Sequence, residues 1–176
     1  MGSLGFIFGF FAFLFSAGAL AQEEATILWN PGQRLSWSNF KAEPPKDSEI
    51  AATTASGLSY EFSTSEQNGI YELDYTVNTY FYPNRSWYQP DICDEVILSH
   101  EQLHFDISEL YARKMRQIMD AAIFTKNVKA EVKAIYREIN KELAAFQQVY
   151  DRETDYSRNI EQQLSWNKKI KDSLAK

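Results

Sequence analysis

The chain has 176 residues, a formal net charge of −6, one cysteine and two histidines. This is enough for one domain with its own core. The acidic balance excludes a nucleic-acid partner, which needs a basic face to neutralise phosphates, and the lone Cys93 excludes an internal disulfide framework.

The first 21 residues carry no Asp, Glu, Lys or Arg, are crowded with Phe, Leu, Ile, Gly and Ala, and end Ala19-Leu20-Ala21 before the acidic Gln22-Glu23-Glu24. An apolar stretch closed by small-x-small is what a signal peptidase reads. Residues 1–21 are therefore expected to be a signal peptide. Residues 22–176 are expected to be the mature single domain, secreted or periplasmic, with no stable membrane span after processing.

From Thr26 to Phe40 one or two short strands are expected around the turn at Pro31-Gly32, and residues 41–48 read as a loop. Ile50 to Phe62 reads as a strand, with Leu58, Tyr60 and Phe62 on one face. A turn over 64–69, ending Asn68-Gly69, leads into the clearest alternation in the chain. There Tyr71, Leu73, Tyr75, Val77, Thr79 and Phe81 share one face, and Glu72, Asp74, Thr76 and Asn78 the other. The pair predicts an antiparallel hairpin with one wet face. Pro83 and Pro90 bracket a loop containing Trp87. The period then becomes helical over 91–118, again from Val128 to Tyr150, and once more from Asn159 to Leu174. Strands followed by helices predict an α+β fold, an N-terminal antiparallel sheet and then an antiparallel helical part.

His100-Glu101-Gln102-Leu103-His104 fits H-E-x-x-H and lies inside the first helical stretch. On a helix, residues four apart stand on one face, so both imidazoles can reach one Zn²⁺ at about 2.0–2.1 Å. Glu101 is rotated about 100° around the axis, where its carboxylate can serve as base towards a water acidified by the metal. With only two histidines in the chain, chance gives this arrangement on the order of once in a thousand. The rival reading is a pair of ordinary core histidines, which would need partners for their ring nitrogens. Asp106 points about 160° away from His104 and supports the helix from behind.

A catalytic zinc takes three protein ligands plus water, and there is no third histidine. The acidic and aromatic cluster Tyr150-Asp151-Arg152-Glu153-Thr154-Asp155-Tyr156-Ser157 is the best source of a third ligand. A helix returning antiparallel would bring it back to the histidines. Glu138 and Glu142, inside that helix, are level with the site as well.

Several segments together resemble a family of predicted secreted bacterial zinc-dependent proteases catalogued as a domain of unknown function. They are Leu35-Ser36-Trp37-x-x-Phe40, Ser86-Trp87, the run from His100 to Ile107, Tyr150-Asp151-x-Glu153-Thr154 and Gln163-x-x-Trp166. The resemblance implies a zincin-like active-site helix and singles out Asp151 as third ligand. Members of that family often carry His two residues after the Thr of the Tyr-Asp segment. Tyr156 fills that slot here and is the competing ligand.

The reading is an exported zinc-dependent metallohydrolase of the peptidase type. His100, His104 and Asp151 hold Zn²⁺, Glu101 is the general base, and a peptide or protein is the substrate. The Ile50–Phe62 strand is the candidate edge for an extended peptide. The alternative is a non-catalytic, zinc-stabilised envelope binding or structural protein.

Overall fold

A computed structural model describes residues 24–175; the expected signal peptide lies outside the described residues. The chain forms an antiparallel sheet followed by three helices, the expected α+β order. Strand β1 (Ile27–Leu28), β3 (Ser56–Gln67) and β4 (Ile70–Phe81) make one sheet in the order β1-β4-β3, and β2 (Ala52–Thr53) pairs with β5 (Trp87–Tyr88) in a second.

The β3–β4 hairpin runs in register from Ser56↔Phe81 to Gln67↔Ile70. Its loop is only Asn68 and Gly69, at φ 55° and 80°, the two positive values that a tight hairpin turn needs to match strand twist. A shorter turn than the sequence suggests lets β3 continue to Gln67. The alternation along β4 is realised: Val77, Thr79 and Phe81 are buried while Glu72, Asp74 and Thr76 are exposed.

Of the one or two short strands expected from Thr26 to Phe40, one forms, β1, and Trp37–Asn39 closes a 3-10 turn in which the Ser36 amide donates to Asn39 Oδ1 at 2.8 Å. Short polar side chains that bond nearby backbone favour such turns over ladders. Two later expectations, at 50–62 and 83–90, are corrected. The single strand expected from Ile50 to Phe62 breaks at Thr54-Ala55, where two polar contacts replace the ladder: Ala55 N donates to Ser86 Oγ at 2.9 Å, and Thr54 Oγ1 donates to the Glu101 carbonyl at 3.1 Å. The loop between Pro83 and Pro90 contains β5, whose register is Ala52↔Tyr88 and Thr53↔Trp87.

Helix α1 (Glu95–Ala121) begins at Asp94, whose Oδ1 accepts from the Val96 and Ile97 amides at 2.9 Å each, satisfying two of the orphan donors of the first turn. Helix α2 (Val128–Glu153) runs back antiparallel: His100 meets Asp151, Tyr111 meets Phe146, and Lys114 meets Glu142. Helix α3 (Ile160–Leu174) then lies alongside α1 in the parallel sense, joining Ser99 to Asn167 and Arg113 to the Leu174 carbonyl. The link between α2 and α3 holds Asp155, Tyr156 and Ser157 at φ 48°, 52° and 74°, three consecutive left-handed residues that reverse the chain.

The main core joins Leu58 and Val77 of the hairpin to Leu103, Ile107, Met115 and Met119 of α1, Val132, Ile139, Leu143 and Tyr150 of α2, and Trp166 and Ile170 of α3. A second cluster packs Phe105, on another side of α1, against Leu35, Phe40 and Phe81. Apolar neighbours on both sides make α1 the central element, and every residue from 100 to 109 except His104 is buried.

Candidate metal centre

Burying that stretch of α1 buries six polar or charged side chains, His100, Glu101, Gln102, Asp106, Ser108 and Glu109, and each must find partners or lose free energy. Glu109 accepts from Thr79 Oγ1 at 2.8 Å, Arg116 at 3.0 Å and Arg113 at 3.2 Å. Asp106 Oδ1 accepts from the Trp29 indole at 2.9 Å and Gln102 Nε2 at 2.8 Å, and its Oδ2 from Arg34 at 3.0 Å. Gln102 Oε1 accepts from the Leu35 amide at 2.7 Å. Gln102 and Asp106 thus clasp the segment before Trp37 onto the back of the helix, the supporting role expected of Asp106.

Among the described residues, two buried side-chain oxygens are left without a hydrogen-bond partner, Glu101 Oε2 and Asp151 Oδ1. Asp151 Oδ1 lies 2.9 Å from His104 Nε2 and 3.3 Å from His100 Nε2. Those contacts are close enough for an ion pair but do not lie along a hydrogen-bond direction. The two Nε2 atoms are 3.3 Å apart. Three ligand atoms thus form a triangle with edges of 3.3, 3.3 and 2.9 Å. A tetrahedral ion with bonds of about 2.0–2.1 Å needs edges of about 3.3 Å. His100, His104 and Asp151 therefore form a group that could hold a metal ion, and a cation fits as the missing partner of the orphaned Asp151 Oδ1 at one corner of the triangle.

The surroundings tune the group. Burial pushes the Asp151 carboxyl up, but polar contact with His100 and His104 and their charge outweigh it and hold the group below the usual carboxylate range. The Tyr150 ring stacks on His100 at 4.5 Å and stands edge-on to His104 at 5.0 Å. Its hydroxyl reaches the His100 carbonyl at 3.2 Å. Burial first, and then the nearby Glu101 and Asp151 charges, push that phenol far above its ordinary range despite an opposing hydrogen bond with Gln163. Tyr150 is therefore a neutral wall of the site.

The other candidates fall elsewhere. Tyr156 is exposed on the left-handed link, its ring against the Arg158 guanidinium. Asp155 pairs with Arg158, Glu138 with Lys141, and Glu142 with Lys114.

Residues that spacing did not flag complete the setting. Gln163 Oε1 is 2.9 Å from His100 Nδ1. Trp166 packs on Tyr150 and donates to Glu153 Oε2 at 2.9 Å. Ser86, fully buried, accepts from the Ala55 amide and donates to the Tyr82 carbonyl, both at 2.9 Å. Thr154 Oγ1 donates to the Tyr150 carbonyl at 2.8 Å, closing the end of α2 behind Asp151. Among these, Gln163, Trp166, Ser86 and Thr154 lie in segments singled out by family resemblance, but no periodicity reveals their tasks.

Fold and site together define an α+β domain with a candidate two-histidine, one-carboxylate metal centre between the central helix α1 and the helix α2. The chain belongs to the family described as "Bacterial protein of unknown function (DUF922)", whose model matches residues 37–158. No curated protein and no solved structure matches it.

Proposed function

We propose that this protein is an exported zinc-dependent hydrolase of the peptidase type. The observation that carries the reading is the pairing of a three-ligand group with a buried carboxylate oxygen, Glu101 Oε2, that has no partner of its own. A structural helix has no use for such an oxygen, whereas a general base needs a free lone pair facing the reacting water.

Two imidazoles and a carboxylate are a donor set that suits zinc, and zinc, when bound, supplies a Lewis acid that acidifies water and polarises a carbonyl. The residues of the chain do the rest. His100, His104 and Asp151 hold the ion. Glu101 takes the proton of the attacking water at Oε2 and passes it to the leaving amine. Tyr150, kept neutral, excludes water from one side. Thr54, the residue after strand β2, donates to the Glu101 carbonyl, and β2 is the edge along which an extended peptide would lie. The apolar leader ending at Ala21 supports export to the periplasm or beyond, and mass spectrometry of the mature protein should find its terminus at Gln22.

The alternative, a zinc-stabilised protein without catalysis, draws support from the ligands coming from both α1 and α2, so that an ion would tie two helices together. One experiment separates the two. Purified without a histidine tag, the protein should carry about one zinc per chain. Glu101→Gln should retain the metal but lose about 10²–10⁴-fold in peptide hydrolysis. Absence of zinc uptake refutes the metal reading. Unchanged hydrolysis in the variant refutes the assigned base, and metal without hydrolysis of any peptide by the wild type selects the structural alternative.

A further inference from the structure

An imidazole that gives Nε2 to a metal must carry its proton on Nδ1, and the group facing Nδ1 decides whether it does. The chain reserves one side chain for that position. Gln163 is 2% exposed and projects from the first turns of α3 with Oε1 2.9 Å from His100 Nδ1. Its amide nitrogen donates to Asn167 Oδ1 at 2.8 Å and to the Tyr150 hydroxyl at 2.8 Å. Asn167 Nδ2 in turn donates to Ser99 Oγ at 2.8 Å. Ser99 is the residue immediately before His100, so the relay leaves α1, crosses two side chains of α3, and returns to α1 at the imidazole.

The relay has two possible directions. The hydroxyl at its Ser99 end can donate or accept, so that end imposes neither. With Oε1 towards His100, the amide accepts from Nδ1–H and leaves the Nε2 lone pair open towards His104 and Asp151. With the amide reversed, Nδ1 would accept, Nε2 would carry the proton, and the lone pair would be lost to any ion. Gln163 is also held from a second side by Tyr150, the ring stacked on His100. In the orientation found, with Oε1 towards Nδ1, one buried amide sets both the tautomer and the plane of the imidazole.

We infer that Gln163, held by Asn167, is the positioning residue that keeps His100 in the Nδ1–H tautomer and makes its Nε2 a metal ligand. The inference rests on the metal reading of the site but makes a separate claim about α3, which contributes no ligand of its own. It gives α3 a role in metal binding beyond packing, one that could be altered without touching a ligand.

The test uses the full mature chain in three forms: wild type, Gln163→Leu and Gln163→Glu. Gln163→Leu removes the acceptor at similar volume. Gln163→Glu keeps an acceptor at Nδ1 and, by turning the Asn167 amide, keeps that contact as well. Nitrogen-15 spectra of the metal-free protein, recorded where the imidazoles are neutral, should show His100 protonated on Nδ1 in the wild type and in Gln163→Glu. In Gln163→Leu the proton should move at least partly to Nε2. Zinc affinity, measured by competition with a chromophoric chelator, should fall about 10–100-fold in Gln163→Leu, the usual loss for an outer partner of a ligating histidine, and should be restored in Gln163→Glu. Near-ultraviolet circular dichroism of the metal-free forms checks that packing around Tyr150 and Trp166 is kept. If Gln163→Leu does not fold, the wild-type tautomer and the affinity of Gln163→Glu still decide. A wild-type Nε2–H tautomer overturns the inference, as does full zinc affinity in a folded Gln163→Leu protein. A wild type with the Nδ1–H tautomer that takes up no zinc refutes the metal reading and leaves the orienting contact standing.

Discussion

Replacing Asp106 with Ala separates support of the metal helix from metal binding. Asp106 is 6% exposed and accepts from Gln102, Trp29 and Arg34. Gln102 is 2% exposed, so its amide would lose a partner with no water to replace it, a cost of about 1–3 kcal/mol. The half-buried Trp29 indole regains water in part and adds about 0.5–1 kcal/mol. Arg34 is mostly exposed, and its ion pair contributes at most about 1 kcal/mol. The sum is about 1.5–5 kcal/mol, or a fall of about 3–20 °C in melting temperature for a domain of this size. Asp106→Asn, which keeps an acceptor at Oδ1, should lose less than half as much. Zinc affinity should stay within about threefold of wild type in both variants, because Asp106 faces away from His104. Urea unfolding with and without zinc provides both quantities. A loss below about 1 kcal/mol in Asp106→Ala would refute the account of the buried network, and a tenfold loss of zinc affinity would refute the separation of the two faces.

Asp151→Asn should weaken zinc binding by more than the 10–100-fold expected for an outer partner, while Tyr156→Phe leaves it unchanged; chelator competition on the two variants checks this, and the reverse order would make Tyr156 the ligand. Removing zinc with a chelator should lower the wild-type melting temperature but not that of Asp151→Asn, since an ion bound to the native state alone stabilises it by mass action. Gly69→Val should cost about 1–2 kcal/mol in thermal unfolding, because Gly69 sits at φ 80° with open space around it and the penalty is backbone strain alone. The Tyr75 phenol is pushed up to about 12, first by burial and then by its hydrogen bond to Asp120 and that carboxylate's charge. Its folded pKa lies above the unfolded value of about 10, so its share of stability is intact below pH 10 and is lost as pH rises towards 12. Ultraviolet titration and alkaline unfolding of Tyr75→Phe, which should lack that share of the pH dependence, test the assignment.

The sequence by itself determined what depends on local periodicity and fixed helical spacing. The period-two run from Tyr71 to Phe81 sets the wet and dry faces of β4, Asn68-Gly69 supplies residues that tolerate the two positive φ values of so tight a hairpin, and i,i+4 geometry alone puts His100 and His104 on one face with Asp106 behind. Cap and turn chemistry blurred the boundaries: the Ser36–Asn39 bonds shape a 3-10 turn where the pattern left one strand or two open, and β5 is too short to show a period. What only the tertiary structure decided is which distant groups converge. That α1 is covered on two sides, and so must satisfy six buried polar residues, follows from packing of the Leu35–Phe40 segment that no pattern in α1 reveals. The choice of Asp151 over Glu138, Glu142 or Tyr156 depends on the crossing of α1 and α2 to within a single helical turn, and Gln163 meets His100 only because three left-handed residues swing α3 back alongside α1. Sequence spacing is rigid within an element, but the approach of two elements is set by the sum of their packing contacts, and a shift of one turn, about 5.4 Å, would have given the site a different third residue.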